Sequence, residues 1–93
     1  ALHLICMKIE FDIGKDRSNR EKHGVSLARA AEMLMDVQAV FTDTRFNYGE
    51  CRYVAYGPVD GRLHCLVYTR PDAKTVRAVS LRKANKREVK RHG

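Results

Sequence analysis

The chain reads as a single α+β domain: an antiparallel sheet made of an N-terminal strand and a three-stranded meander, two helices between them, and a basic helix at the end. Three observations predict this. Residues 7–11, MKIEF, alternate apolar and polar side chains as a half-buried strand does. Leu27, Ala30, Ala31, Leu34 and Met35 recur at the spacing of one helix face. From Cys51 the period switches to two over three runs, 51–57, 62–70 and 75–82, joined by the hairpin signals PVDG and PDAK. An order of strand, two helices, three strands and helix implies helices packed on one face of a sheet. Ninety-three residues suffice for one core, so residues 1–93 are taken as one domain. Residues 1–6, ahead of MKIEF, are expected to be a non-native or upstream extension.

The individual elements follow from local chemistry. Asp12 can cap a first helix, but its body, IGKDRSNREK, has almost no apolar stripe. Ser18 and Glu21 also fit a capping box, so that helix either starts late or comes in two pieces. KHGVS, residues 22–26, then ends it. Lys22 and His23 suit a last turn, and Gly24 suits the left-handed residue after it. Val25 supplies the accompanying hydrophobic contact, and Ser26 the next N-cap. DVQAVFTDTR either extends the second helix or adds a short strand, and RFNYGE has the composition of a loop. Asn85 and Glu88 form a capping box for the last helix. Ala84 and Val89 are its only apolar positions, so the sheet or a partner must help to order it.

Strand alternation sorts side chains between faces. Leu63, Cys65 and Val67 look like core on the middle strand, with Val79 and Leu81 on the next. The opposite face then carries Arg52, His64, Tyr68, Arg70 and Arg82, cations for phosphates and rings able to stack on bases. Net charge points the same way. The chain carries +7, of which residues 81–93 supply six basic side chains against Glu88, leaving +2 for the remainder. Such an excess suits a polyanionic partner.

Several classes are disfavoured. Cys6, Cys51 and Cys65 are odd in number and lack a CxxC spacing, which argues against a disulfide framework or a structural zinc site. His64 and Cys65 point to opposite faces, and no phosphate loop, GxSxG or HExxH occurs. No metal and no cofactor are expected. No run approaches the ~20 apolar residues of a membrane span, and ALHLIC is too short for a signal peptide. A cytoplasmic protein without membrane contact is expected.

MKIEFD, K...N..KHGVS, YGECRYVAYGPVDGRLHCLVYTR and VSLRKANKRE, in this order over residues 7–89, resemble the BrnT family of toxins. The chain departs from the family at Leu27, where an aromatic is frequent, and at Gly14 in the first helix. The resemblance implies a RelE-like fold and a toxin of a type II toxin–antitoxin pair that cuts RNA and halts translation. It also implies a BrnA-type ribbon-helix-helix antitoxin, whose complex with the toxin binds operator DNA through the antitoxin. The alternative is a non-catalytic basic module, a degenerate toxin serving as antitoxin partner or co-repressor.

RNA brings its own nucleophile, the 2′-hydroxyl, so one base, one acid and one or two arginines suffice for a metal-independent transesterification. Arg52, Arg62, Arg70 and Arg82 are the phosphate candidates. Glu50 or His64 is a candidate base, His23 or His64 a candidate acid, and Tyr68 a residue that positions or stacks. Lys83, Lys86 and Arg87 are placed at the RNA or the antitoxin. Each has a structural rival. Glu50 can pair with Arg52, Arg62 and Arg70 can be solvated hairpin ends, Tyr68 can pack, and Arg82 can face the antitoxin. Capping alone accounts for His23.

Overall fold

The computed structural model describes residues 8–43 and 51–93. Five strands form one sheet in the order β1-β5-β4-β3-β2. These are β1 (Lys8–Glu10), β2 (Ala39–Asp43), β3 (Arg52–Val59), β4 (Arg62–Asp72) and β5 (Thr75–Lys83). The meander β3-β4-β5 is antiparallel, as expected. β2 adds an antiparallel edge strand, so Ala39–Asp43 within DVQAVFTDTR is strand rather than helix, and β1 joins the opposite edge parallel to β5, a correction to the wholly antiparallel sheet expected. RFNYGE lies outside the described residues. The first hairpin turns at Asp60 and Gly61, whose φ angles of 52° and 74° are the left-handed pair that an Asp-Gly turn supplies.

The helices form where their caps place them. Helix α1 (Ile13–His23) is one piece, with the Asp12 carboxylate accepting from the Lys15 N–H at 2.9 Å. It ends at Gly24, φ 71°, whose N–H donates to the Arg20 carbonyl. Ser26 caps a single 3-10 turn (Leu27–Arg29) that leads into α2 (Ala30–Leu34). Asp16 reinforces that start, since its Oδ1 accepts from the Ser26 hydroxyl and the Leu27 N–H. The tighter opening turn changes which residues face the core. Leu27, Ala30, Met33 and Leu34 are buried, whereas Ala31 and Met35, expected inside, are exposed. Helix α3 (Lys86–His92) begins with the full Asn85–Glu88 capping box.

The core lies between α1–α2 and one sheet face, where Ala55, Val59, Leu66, Tyr68, Val76, Ala78 and Leu81 meet Leu27, Met33 and Leu34. This reverses the expected phase of β4. Leu66 and Tyr68 point to the helices, and Cys65 and Val67 to the other side. The run RLHCLVYTR has apolar residues in both phases, so alternation alone does not choose, and the position of α2 does. On β5 a bulge opposite Val67 and Tyr68 inserts an extra residue. Ala78 and Leu81, three apart, therefore both reach the core, and Val79 is only half-buried.

Helix α1 docks by an amide rather than an apolar face. Asn19 is buried; its Nδ2 donates to the Leu81 and Val25 carbonyls, each at 2.8 Å, and its Oδ1 accepts from the Leu81 N–H at 3.0 Å. β1 covers β5 only from Thr75 to Arg77. Beyond that point the Asn19 side chain takes the place of a strand for Leu81. Helix α3 does not join the other helices: through Glu88 and His92 it lies over the face opposite the core. The expectation of helices on one face is corrected accordingly.

Candidate functional site

The side chains under α3 come from three neighbouring strands. Register aligns Tyr56 of β3 with Cys65 of β4, and Cys65 with Arg82 of β5, so the three form a row across the sheet. Glu88 closes the row from above. Its Oε1 and Oε2 accept from Nη1 and Nη2 of Arg82 at 2.7 and 2.9 Å, and Oε2 also accepts from the Tyr56 hydroxyl at 2.7 Å. This two-pronged contact is the geometry in which guanidinium and carboxylate bind most strongly. Its electrostatic result is clear-cut. Hydrogen bonding by Arg82 holds the Glu88 carboxyl down at about 2, and the same contact raises the Arg82 pKa. Burial, then the bond to Glu88, pushes the Tyr56 phenol well above its ordinary value. At neutral pH the cluster is therefore guanidinium, carboxylate and phenol.

His92, one turn beyond Glu88, stacks on Tyr56 with ring centroids 4.3 Å apart, and Phe41 of β2 approaches His92 at 5.2 Å. Phe41, Val54, Tyr56, Arg91 and His92 line an open groove of about 320 Å³ between α3 and the β2 edge. Phe41 is about half exposed, as an aromatic at a groove mouth would be. An imidazole here can give or take a proton, and the rings offer a stacking surface.

The expected site residues divide. Arg82 lies on the α3 face, and strand alternation puts Arg52 on that face with Tyr56. Lys83 ends β5, and Lys86 and Arg87 open α3, all three exposed. Arg62 is exposed at the β3–β4 turn. Arg70, at the other end of β4, donates to the Ala73 carbonyl at 2.7 Å. His64 and Tyr68 are corrected. Both are buried on the α1–α2 side, where His64 Nδ1 donates to the Arg62 carbonyl and Tyr68 stacks on Tyr53, ring centroids 5.4 Å apart. Neither is presented to a substrate there. His23 is exposed at the end of α1, off this row and beside Val79 and Ser80 of β5. Glu50 lies outside the described residues. Among the described residues no three His, Cys, Asp or Glu side chains converge as metal ligands would, and no helix is long and apolar enough to cross a membrane.

Tyr56, Glu88, His92 and Phe41 were not singled out from the sequence. Glu88 was visible as a capping residue, but nothing local signals that the same carboxylate reaches back to Arg82.

The model of the family described as "Ribonuclease toxin, BrnT, of type II toxin-antitoxin system" matches residues 11–88. The chain belongs to the BrnT family. Its activity is that of a ribonuclease toxin of a type II toxin–antitoxin system, with RNA as substrate and an antitoxin as partner. The fold agrees with the crystal structure of the Brucella abortus ribonuclease toxin BrnT, with a TM-score of 0.71 over 86% of this chain and 99% of that one. At 24% identity that likeness speaks for the BrnT fold alone. A search of curated proteins gave no match.

Proposed function

We propose that this BrnT-family toxin cleaves RNA by metal-independent transesterification on the sheet face beneath α3, with Arg82 at the reacting phosphate. The 2′-hydroxyl attacks the adjacent phosphorus, the 5′-oxygen leaves with a proton, and the 3′ side ends as a 2′,3′-cyclic phosphate. Arg82 stabilises charge on the non-bridging oxygens. Glu88, ionised down to about pH 2, orients that guanidinium and is no proton donor at neutral pH. Tyr56 stays a phenol and so donates a hydrogen bond rather than acting as base. His92 is the proton-transfer group nearest the row, taking this role in place of the buried His64. Arg52 adds positive charge on the same face, with Lys83, Lys86 and Arg87 on its flank. His23, Arg62 and Arg70 lie outside this row and meet flanking nucleotides rather than the reacting phosphate.

The observation that carries this reading is the Tyr56–Cys65–Arg82 row locked by Glu88 beside an aromatic groove. Family membership supports a BrnA-type ribbon-helix-helix antitoxin as the partner, operator DNA reached through that antitoxin, and action in the cytoplasm, where the RNA is.

The test is cleavage of end-labelled RNA by purified protein in the presence of a chelator. Cyclic-phosphate products are expected, with kcat falling at least ~10²-fold in Arg82→Ala and partial recovery in Arg82→Lys. Products carrying a 5′-phosphate, or wild-type cleavage by Arg82→Ala, would refute the assignment.

A further inference from the structure

A second groove, of about 220 Å³, runs between α1 and the bulged stretch of β5. Lys15, Ser18, Lys22 and His23 line it from α1, and Val79 and Ser80 from β5, with Asn19 beneath. Lys15, Ser18, Asn19 and Lys22 fall at i, i+3, i+4 and i+7, one face of the helix. The stripe that is missing as an apolar face in the sequence is thus present as a polar one, and Asn19 aims it at β5. K...N..KHGVS and the start of VSLRKA, far apart in the chain, meet here.

The chemistry of the lining is one-sided. Arg20, Arg77 and Arg82 are each matched to a carboxylate, Asp16 at 3.3 Å, Glu10 at 2.8 Å and Glu88 at 2.7 Å, and Arg29 is matched to Glu32 and Asp60. Lys15, Lys22 and His23 have no such carboxylate among the described residues, and no carboxylate lines the groove. The nearby Asp16 carboxylate is already occupied by Ser26, Leu27 and Arg20. The hydroxyls of Ser18 and Ser80 are half-buried and take no partner among the described residues. Ammonium groups, an imidazole and two hydroxyls form a set that donates hydrogen bonds to an anion, with Val79 as the one apolar member. Asn19 is not available to a ligand, because its amide is spent on Leu81 and Val25.

Placement favours RNA over an isolated anion. Ser80 and Arg82 are two residues apart on one strand and lie on the same face, opposite Val67 and Cys65 respectively. That spacing is about 6–7 Å along the strand, so a chain whose phosphate rests at Arg82 can continue over Ser80 into the groove. We propose that the groove between α1 and the β5 bulge is a phosphate-binding subsite that holds RNA backbone flanking the cleaved bond. The inference rests on the reading that Arg82 holds the reacting phosphate, and it assigns Lys15, Lys22, His23, Ser18 and Ser80 to binding rather than to chemistry.

The experiment measures affinity for a non-cleavable 2′-O-methyl single-stranded oligonucleotide by fluorescence anisotropy across a salt series. It compares wild type with Lys15→Gln/Lys22→Gln and with Lys8→Gln/Lys74→Gln, which removes the same charge from exposed lysines at the far end of the sheet. The groove variant should bind about tenfold more weakly, and its log–log salt slope should fall by about 1.4, or ~0.7 for each phosphate no longer neutralised. The control should shift far less. In cleavage assays the groove variant should keep kcat within about twofold while KM rises, the pattern of weakened uniform binding, whereas Arg82→Ala should lose kcat. Equal shifts in the groove variant and the control would overturn the subsite. So would unchanged RNA binding accompanied by loss of antitoxin binding, since the groove would then contact protein. An absence of cleavage by every protein would count against the Arg82 chemistry, and the salt slopes would still decide the groove.

Discussion

Asn19→Ala removes the side chain that substitutes for a strand beside β5, and its cost follows from the atoms involved. Three hydrogen bonds disappear, two to Leu81 at 2.8 and 3.0 Å and one to the Val25 carbonyl at 2.8 Å. The two to Leu81 are buried, so that residue's N–H and C=O are left without partners. An unsatisfied buried backbone group costs about 1–3 kcal/mol. Alanine also leaves space for water to reach part of this edge, so we expect a loss of about 3 kcal/mol rather than the upper sum. For a domain of this size that is a large share of the roughly 5–15 kcal/mol of total stability. It should lower Tm by roughly 15 °C and reduce the urea midpoint without changing the m-value. Asn19→Asp keeps the acceptor but brings a carboxylate against two carbonyl oxygens, and should be at least as damaging. Urea and thermal melts followed by circular dichroism check both variants. A loss below about 1 kcal/mol in Asn19→Ala would show that the amide is not what terminates the β5 edge.

Other outcomes follow from the same structure. The Glu88 carboxyl ionises at about 2 in the folded protein against an ordinary 4.5. A depressed carboxyl stabilises the fold above its unfolded value, so this contribution is full above about pH 4.5 and is lost as pH falls towards 2. The shift corresponds to at most about 3 kcal/mol, and solvent at the helix edge should leave ~1–2 kcal/mol. Glu88→Gln should lack that part of the acid-stability curve in melts taken from pH 6 to about 2, and an unchanged curve would contradict the Arg82 contact. Gly57→Ala should destabilise the fold by about 1–3 kcal/mol, because a Cβ there would lie 2.7 Å from the Met33 carbonyl oxygen at the end of α2. A variant with wild-type Tm would mean that α2 shifts freely on the sheet.

Much of the fold was legible in short stretches, because caps and turns are decided by neighbours in the chain. Asp12, Gly24, Ser26 and the Asn85–Glu88 box act where the sequence placed them, as does the Asp60-Gly61 turn. The two-residue period marked the meander for the same reason. The candidate site was less legible. Alternation groups Arg52 and Arg82 on one face, and the structure keeps them together beneath α3, whereas His64 and Tyr68 fall on the other face of a strand whose two phases look alike. His92 had no local mark, since its meaning comes from stacking on Tyr56 across the sheet.

The sequence by itself determined the order of elements apart from β2, their caps, the excess of charge at the C-terminus and the family. Tertiary structure alone decided which face of β4 is buried, where the β5 bulge falls, and that Glu88 locks Arg82. The physical reason is range. A cap or a turn is closed by residues one to four apart, whereas the face of a strand has no meaning until another element covers it. An arginine's role likewise depends on the carboxylate that the packed chain brings to it.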